Sequence, residues 1–275
     1  MKLAVIIPAA GASARYAQAV ATEQGLAGAR SKLDEDLGGR PVLQRTVELF
    51  ANLAVEDVEI APIIVAGPAD DAAMKAFRER HADKLAIMGC RLCAGGAHHR
   101  YETVRNALAL VPEGCTHVAV HDAARPCATP ALLERVLRAA SKHPAVIPAL
   151  DLADTIKRVA SEPIRDESPD PLAAILGAAP AGPSLRAVEA TLDRSRLVAV
   201  QTPQVFALDL LRRAYAQKDL ASTDDAQLIE RLGERVVVVP GDSRNLKLTL
   251  PADLVMARAI LGVRAPDQRA AHMKF

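Results

Sequence analysis

Leu3-Ala4-Val5-Ile6-Ile7 runs straight into Pro8-Ala9-Ala10-Gly11-Ala12-Ser13-Ala14-Arg15. Five apolar residues without polar alternation read as a strand buried on both faces, and the small residues after it read as the turn that ends it. Similar runs recur at Ile63-Ile64-Val65-Ala66, Val118-Ala119-Val120, Ala145-Val146-Ile147 and Val236-Val237-Val238-Val239. The segments between them carry helical stripes. Val104, Ala107, Leu108 and Val111 fall at i, i+3, i+4 and i+7, and Leu132, Leu133, Val136 and Leu137 follow Thr129 as N-cap and Pro130 as first helical residue. Two more stripes follow prolines: Val42, Leu43, Val47 and Phe50 after Pro41, and Leu254, Val255, Ala257 and Leu261 after Pro251. Buried strands alternating with amphipathic helices predict an α/β fold, a mostly parallel sheet with helices on both faces.

The 275 residues, 50% of them apolar, suffice for one substantial core, so a single domain is expected over residues 1–265, with 266–275 as a tail. Two stretches read as irregular, Tyr16 to Ser31 and the proline-rich Glu162 to Ser184. The 34 basic and 33 acidic side chains nearly cancel, which excludes the basic excess used to grip nucleic acid and favours a small substrate. No segment approaches the roughly 20 apolar residues of a membrane span, and Leu3 to Ile7 is too short for a secretory h-region. A cytoplasmic protein with no membrane partner is expected. Cys90 and Cys93 have C-x-x-C spacing, yet no second pair or zinc-finger histidine accompanies them. Small, semi-buried thiols are the simpler reading.

Open α/β sheets bind ligands at the carboxyl ends of their strands, so the residues just after each run are candidates for chemistry. Pro8 to Arg15 is a small-residue loop whose backbone N–H groups can approach phosphate beside the fixed charge of Arg15. With one glycine it matches neither the dinucleotide fingerprint nor the P-loop, which argues against a nicotinamide-dependent oxidoreductase. After Val120 comes His121-Asp122-Ala123-Ala124-Arg125-Pro126, a carboxylate and a guanidinium three residues apart at a strand end. Asp154-Thr155-Ile156-Lys157, Gln201-Thr202-Pro203-Gln204, Thr223-Asp224-Asp225 and Asn245-Leu246-Lys247-Leu248-Thr249 complete the set.

In this order, with Lys32 and with Gly95-Gly96 ahead of Arg100 and Thr103, these blocks closely resemble the 2-C-methyl-D-erythritol 4-phosphate cytidylyltransferases over nearly the whole chain. The resemblance implies a Rossmann-like nucleotidyltransferase fold with a mixed, mostly parallel sheet and a dimerisation arm at about 150–200. It implies that CMP passes from CTP to 2-C-methyl-D-erythritol 4-phosphate with release of pyrophosphate, in the non-mevalonate isoprenoid pathway, with Mg2+ as cofactor and a homodimer as the working form. Arg15 and Lys32 would stabilise the pentacoordinate α-phosphate, while Arg194 and Lys247 would hold the attacking phosphate. Pro8, Ala9, Ala10, Gly11, Gly95, Gly96, Thr103, Asp122 and Ala123 would form the nucleotide pocket, with Asp122 beside the metal. Arg125, Thr155 and Thr202 would serve the second substrate, Thr155 and Arg194 acting in the neighbouring subunit's site.

Three departures mark the chain. Sixteen residues separate Arg15 from Lys32, and Arg30 competes for the role of Lys32, which Leu37 to Leu43 supports by following it at about the family spacing. The proline-rich Glu162 to Ser184 stretch enlarges the arm. Ala97 replaces the family's acidic residue after Gly-Gly, with His98 and His99 beside it. Alternatives are a cytidylyltransferase for another polyol phosphate such as ribitol 5-phosphate, and a non-catalytic nucleotide-binding subunit.

Overall fold

The computed structural model describes residues 1–11, 14–24, 31–164 and 185–265. Their elements are β1 (Lys2–Pro8), α1 (Ala14–Gln24), α2 (Val42–Ala51), β2 (Glu59–Gly67), α3 (Asp71–Ile87), β3 (Cys90–Ala94), α4 (Arg100–Leu108), β4 (His117–Val120), α5 (Pro130–Ala140) and β5 (Ala145–Asp151). After them come β6 (Ile156–Val159), β7 (Val188–Leu192), β8 (Val198–Val200), β9 (Gln204–Ala207), α6 (Leu208–Tyr215), α7 (Ala226–Arg231), β10 (Val237–Pro240) and α8 (Pro251–Leu261). The chain divides into two compact units, one of Met1–Leu150 with the chain from Val200 onward, the other of Asp151–Ala199.

In the larger unit the main sheet runs β10-β5-β9-β4-β1-β2-β3. β1 pairs in parallel with β2 and β4, β2 with β3, and β5 with β10, while β9 runs antiparallel to β4 and β5. This is the mixed, mostly parallel sheet expected. Leu3 to Ile7 are wholly buried, because alternate side chains of β1 enter opposite layers: Leu3, Val5 and Ile7 join one core cluster, Ala4 and Ile6 the other. α2, α3, α5 and α8 supply the first layer, and α4, α6 and α7 the second.

The stripes bury as their spacing requires. Val42, Leu43, Val47 and Phe50 are within 1% of full burial, and truncating Phe50 to Ala would cost about 3–5 kcal/mol. Thr129 Oγ1 accepts from Leu132 N at 3.3 Å ahead of Pro130, capping α5 as read. Two expectations need correction. Val255 is 65% exposed and does not share the buried stripe of Leu254 and Ala257; it lies one residue beyond Leu254, about 100° around the helix. The stretch Tyr16 to Gln24 is helical within α1; its alanines, glutamines and glutamate are good helix formers even without a clean stripe. Residues 25–30, which include Arg30, residues 165–184 of the proline-rich stretch, and 266–275 lie outside the described residues.

In the smaller unit β6 and β7 form a two-stranded antiparallel ribbon, Ile156 opposite Leu192. Neither strand has a continuous apolar run, so neither is visible as a strand in the sequence. Among the described residues no helix is long and apolar enough to cross a membrane.

Candidate active site

Backbone hydrogen bonds beyond the strand ends bring three loops together. Ala9 N donates to Ala66 O (2.8 Å), Gly95 N to Gly67 O (2.8 Å) and His121 N to Ile6 O (2.9 Å). The loops after β1, β3 and β4 therefore meet at the carboxyl edge of the sheet. They frame a cavity of about 350 Å3 whose lining includes Pro8, Ala9, Ala10, Gly11, Gly96, Thr103, Asp122 and Ala123, with Lys32, Arg100 and Lys247 on its walls. Ten of the sequence-derived site residues thus share one cavity, of a size suited to a small ligand.

The glycines are required by contact. A Cβ on Gly96 would sit 2.1 Å from Glu102 Cβ, and one on Gly95 would sit 2.6 Å from both Ala10 Cβ and Gly67 O. Gly95 packs under Ala10 instead of lining the cavity itself. Gly96 N donates to Thr103 Oγ1 at 3.0 Å, and Glu102 Oε2 accepts from His98 N (2.9 Å) and His99 N (3.1 Å), closing the loop onto the start of α4. The His98 and His99 side chains, exposed, line the cavity.

Asp122 is the one carboxylate among the described lining residues. Its Oδ2 lies 2.9 Å from Lys247 Nζ and 3.3 Å from Arg125 Nε, and its Oδ1 lies 3.6 Å from Arg100 Nε. Burial opposes its ionisation, but Arg100, Lys247 and Arg125 outweigh burial and hold the carboxyl well below the usual carboxylate range. Arg100 also donates to Asp225 Oδ2 at 2.7 Å, and Tyr215 Oη donates to Asp225 Oδ1. Burial works against the Arg100 charge, yet Asp225 and Asp122 keep it firmly protonated.

Behind the cavity the support is polar and buried. Asp122 N donates to Thr202 Oγ1 (3.0 Å), Arg125 Nη1 to Asn245 O (2.7 Å) and Asn245 Nδ2 to Thr202 O (2.8 Å). Arg125 and Thr202 are each over 90% buried in this support and are absent from the cavity lining. His121, wholly buried, is pushed down to about 4 by that burial and stays neutral between Arg125 O (3.1 Å) and Thr202 Oγ1 (3.3 Å). Thr46 Oγ1, from α2, donates to Ala123 O at 2.9 Å, and Leu248 N donates to Ala124 O at 2.8 Å, which seats the Lys247 segment beside the Asp122 loop. Lys32 Nζ donates to Leu248 O at 2.8 Å.

Arg15 lies in the first turn of α1, and its side chain lies outside the described part. Thr155 and Arg194 belong to the smaller unit, both exposed, with Arg194 Nη1 donating to Ala153 O. Asp225 and Tyr215 hold Arg100 at the cavity wall beside Asp122, although sequence reasoning gives these three no role. Asp225 stands in the Thr223-Asp224-Asp225 block and Arg100 beside Gly95-Gly96, so the signal is present as position without partner. Cys90 and Cys93 are free and half-buried, and burial pushes the Cys90 thiol up to about 11. No group of three or more His, Cys, Asp or Glu side chains among the described residues is placed to hold a metal ion.

A small-residue floor at the carboxyl edge of a mixed sheet, walled by lysine and arginine around one described carboxylate, is suited to an anionic ligand such as a nucleoside phosphate. The family model described as IspD, 2-C-methyl-D-erythritol 4-phosphate cytidylyltransferase, matches residues 3–171 and 173–263. A 2-C-methyl-D-erythritol 4-phosphate cytidylyltransferase of Frankia casuarinae is 38% identical over 273 residues, 98% of this chain and 86% of that protein. One from Symbiobacterium thermophilum is 39% identical over 262 residues, 94% of this chain and 92% of that protein. The crystal structure of the Thermus thermophilus enzyme of that name has a TM-score of 0.64 at 28% identity and covers 96% of this chain and 100% of that one. The chain belongs to the 2-C-methyl-D-erythritol 4-phosphate cytidylyltransferase family.

Proposed function

We propose that the cavity is where this chain transfers the cytidylyl group. The chain joins CTP to 2-C-methyl-D-erythritol 4-phosphate, giving 4-diphosphocytidyl-2-C-methyl-D-erythritol and pyrophosphate, a step of isoprenoid biosynthesis. The observation that carries the site assignment is the cavity itself: a floor of Ala9, Ala10 and Gly11 facing Lys32, Arg100 and Lys247. Small residues let backbone groups read the edge of a pyrimidine, and the cations receive the triphosphate.

A phosphate oxygen of methylerythritol phosphate attacks the α-phosphorus of CTP. The new P–O bond forms as the bond from the α-phosphorus to its bridging oxygen breaks, and pyrophosphate carries the electron pair away. No protein nucleophile takes part. Such transfers are catalysed by positioning and by neutralising charge on the non-bridging oxygens. Lys32 and Arg15 are assigned to the α-phosphate and Lys247 to the attacking phosphate, while Arg194 and Thr155 are assigned to the attacking phosphate and its polyol in a neighbouring subunit's site. Arg125 and Thr202 act by holding Asp122 and Asn245 in place.

Mg2+ is proposed as the cofactor. A cavity carboxylate such as Asp122 suits a hard cation whose remaining ligands are phosphate oxygens and water, and Asp122 is ionised at neutral pH. The bound ion would neutralise charge on the triphosphate. We also assign the chain to a homodimer through the Asp151–Ala199 unit, where Val188, Leu197 and Val198 are 60%, 40% and 41% exposed. A cytoplasmic location fits a soluble sugar-phosphate substrate.

The test is pyrophosphate release from purified protein with Mg2+, methylerythritol 4-phosphate and each of CTP, UTP, ATP and GTP, with ribitol 5-phosphate as control acceptor. Release confined to CTP with methylerythritol phosphate is expected. Release only with ribitol phosphate would move the acceptor assignment, and none with any pair would leave a nucleotide-binding subunit.

A further inference from the structure

Lys32 opens a single 3-10 turn, Lys32–Asp34. One such turn closes few hydrogen bonds and has little stability of its own. Within it Asp34 N donates to Ser31 O at 2.9 Å, and Glu35 N reaches Lys32 O only at 3.4 Å. A lysine that must meet a phosphate to within a fraction of an ångström needs a firmer mount.

The mount is visible two residues on. Asp34 Oδ1 lies 2.7 Å from His81 Nε2, and Asp34 Oδ2 lies 3.2 Å from Arg80 Nε. Both partners stand on α3, a 17-residue helix capped by Asp70, which accepts from Ala73 N at 2.8 Å, and seated on the core through Met74, Phe77 and Leu85. His81 is 3% exposed, its ring 4.8 Å from that of Phe77, so its direction is set by packing. Burial opposes the Asp34 charge, but the His81 hydrogen bond and the Arg80 charge prevail and keep the carboxyl below its ordinary value. Leu33, 5% exposed, fixes the turn from its other side.

His81 lies outside the cavity lining, so its influence on chemistry passes through the turn. We infer that Asp34 and His81 are positioning residues, a clamp between α3 and the Lys32 turn that holds the Lys32 ammonium in place for the α-phosphate. The inference rests on the assignment of Lys32 above. The clamp also explains how the chain tolerates the long spacing from Arg15: the lysine is registered against α3 across the fold, not along the chain.

The experiment is steady-state kinetics with CTP, methylerythritol 4-phosphate and Mg2+ on the full chain, with thermal melts of every variant. Lys32→Ala is expected to lose about 10²–10³ in kcat, as when a transition-state donor is removed. Asp34→Asn is expected to lose about 10² in kcat, the cost of a misplaced group, with both KM values changed far less. Asp34→Asn added to Lys32→Ala is expected to cost nothing more. His81→Gln, which keeps a donor for Asp34, is expected to retain more kcat than His81→Phe. Wild-type kcat in Asp34→Asn, or a loss that multiplies in full with that of Lys32→Ala, overturns the clamp. Wild-type kcat in Lys32→Ala overturns the lysine assignment itself. If Asp34→Asn does not fold, the His81 pair decides, and equal kcat in its two members overturns the clamp.

Discussion

Replacing Asp122 by Asn tests the electrostatic reading of the cavity directly. The carboxylate is 11% exposed and faces Lys247, Arg125 and Arg100 at 2.9, 3.3 and 3.6 Å. Neutralising it leaves three cations converging on an amide. Removing one partner of a buried ion pair costs about 3–5 kcal/mol. Here the lower end applies, about 3 kcal/mol, because Arg125 keeps Asn245 O, Arg100 keeps Asp225, and Lys247, 42% exposed, can turn to water. At roughly 2–4 °C per kcal/mol for a chain of this size, the melting temperature falls by roughly 6–12 °C. The pH dependence is equally specific. The folded carboxyl is held below its unfolded value, so its contribution is fully present above the unfolded pKa of about 3.9 and fades as pH falls through the folded value. The gap between wild type and variant is thus flat between about pH 5 and 8 and narrows only below about pH 4. Chemical denaturation across that range measures it. A variant as stable as wild type at neutral pH, or a gap that narrows already near pH 6, would refute the three-cation account.

Gly96→Ala drives a Cβ to 2.1 Å from Glu102 Cβ and displaces the carboxylate that holds His98 N and His99 N; a loss of about 1–3 kcal/mol is expected by denaturation, with weaker CTP binding by calorimetry. Lys247→Ala is expected to lower kcat/KM by about 10²–10³ while the protein still melts cooperatively; activity within about threefold of wild type would remove Lys247 from the reaction. Chelation with EDTA is expected to abolish turnover and added Mg2+ to restore it, with the melting temperature of the free protein unmoved, because no described cluster of side chains holds a metal ion by itself.

The parts of the fold legible in the sequence are those whose signal is local. A buried strand announces itself by continuity, as Leu3 to Ile7 does, and an N-capped helix by Thr129, Pro130 and the stripe behind them, since each pattern is completed within a dozen residues. β9 escapes because four residues, Gln204–Ala207, carry little pattern, and its antiparallel place between β4 and β5 is decided by pairing partners far along the chain. β6 and β7 escape for the same reason, their ribbon being closed across the proline-rich stretch.

The site divides along the same line. Residues read from strand ends, such as Ala9, Gly96 and Asp122, reach one cavity because parallel strands in register deliver their carboxyl ends to one edge. What the sequence withholds is which charge faces which. Arg100 meets Asp225 across 125 residues, and Lys32 meets Leu248 O across 216. No periodicity encodes such a pair, because each partner is chosen by the fold after the strands have aligned. Yet these pairings decide where the charges of the cavity stand. Without Asp225 and Asp122 beside it, Arg100 would stand with Lys247 on the cavity wall and Arg125 behind it with no counter-charge between them, and like charges at that range repel strongly. The carboxylates let three cations stand together in the folded chain, and under the proposed function arriving phosphates would meet the Arg100 and Lys247 donors already aimed.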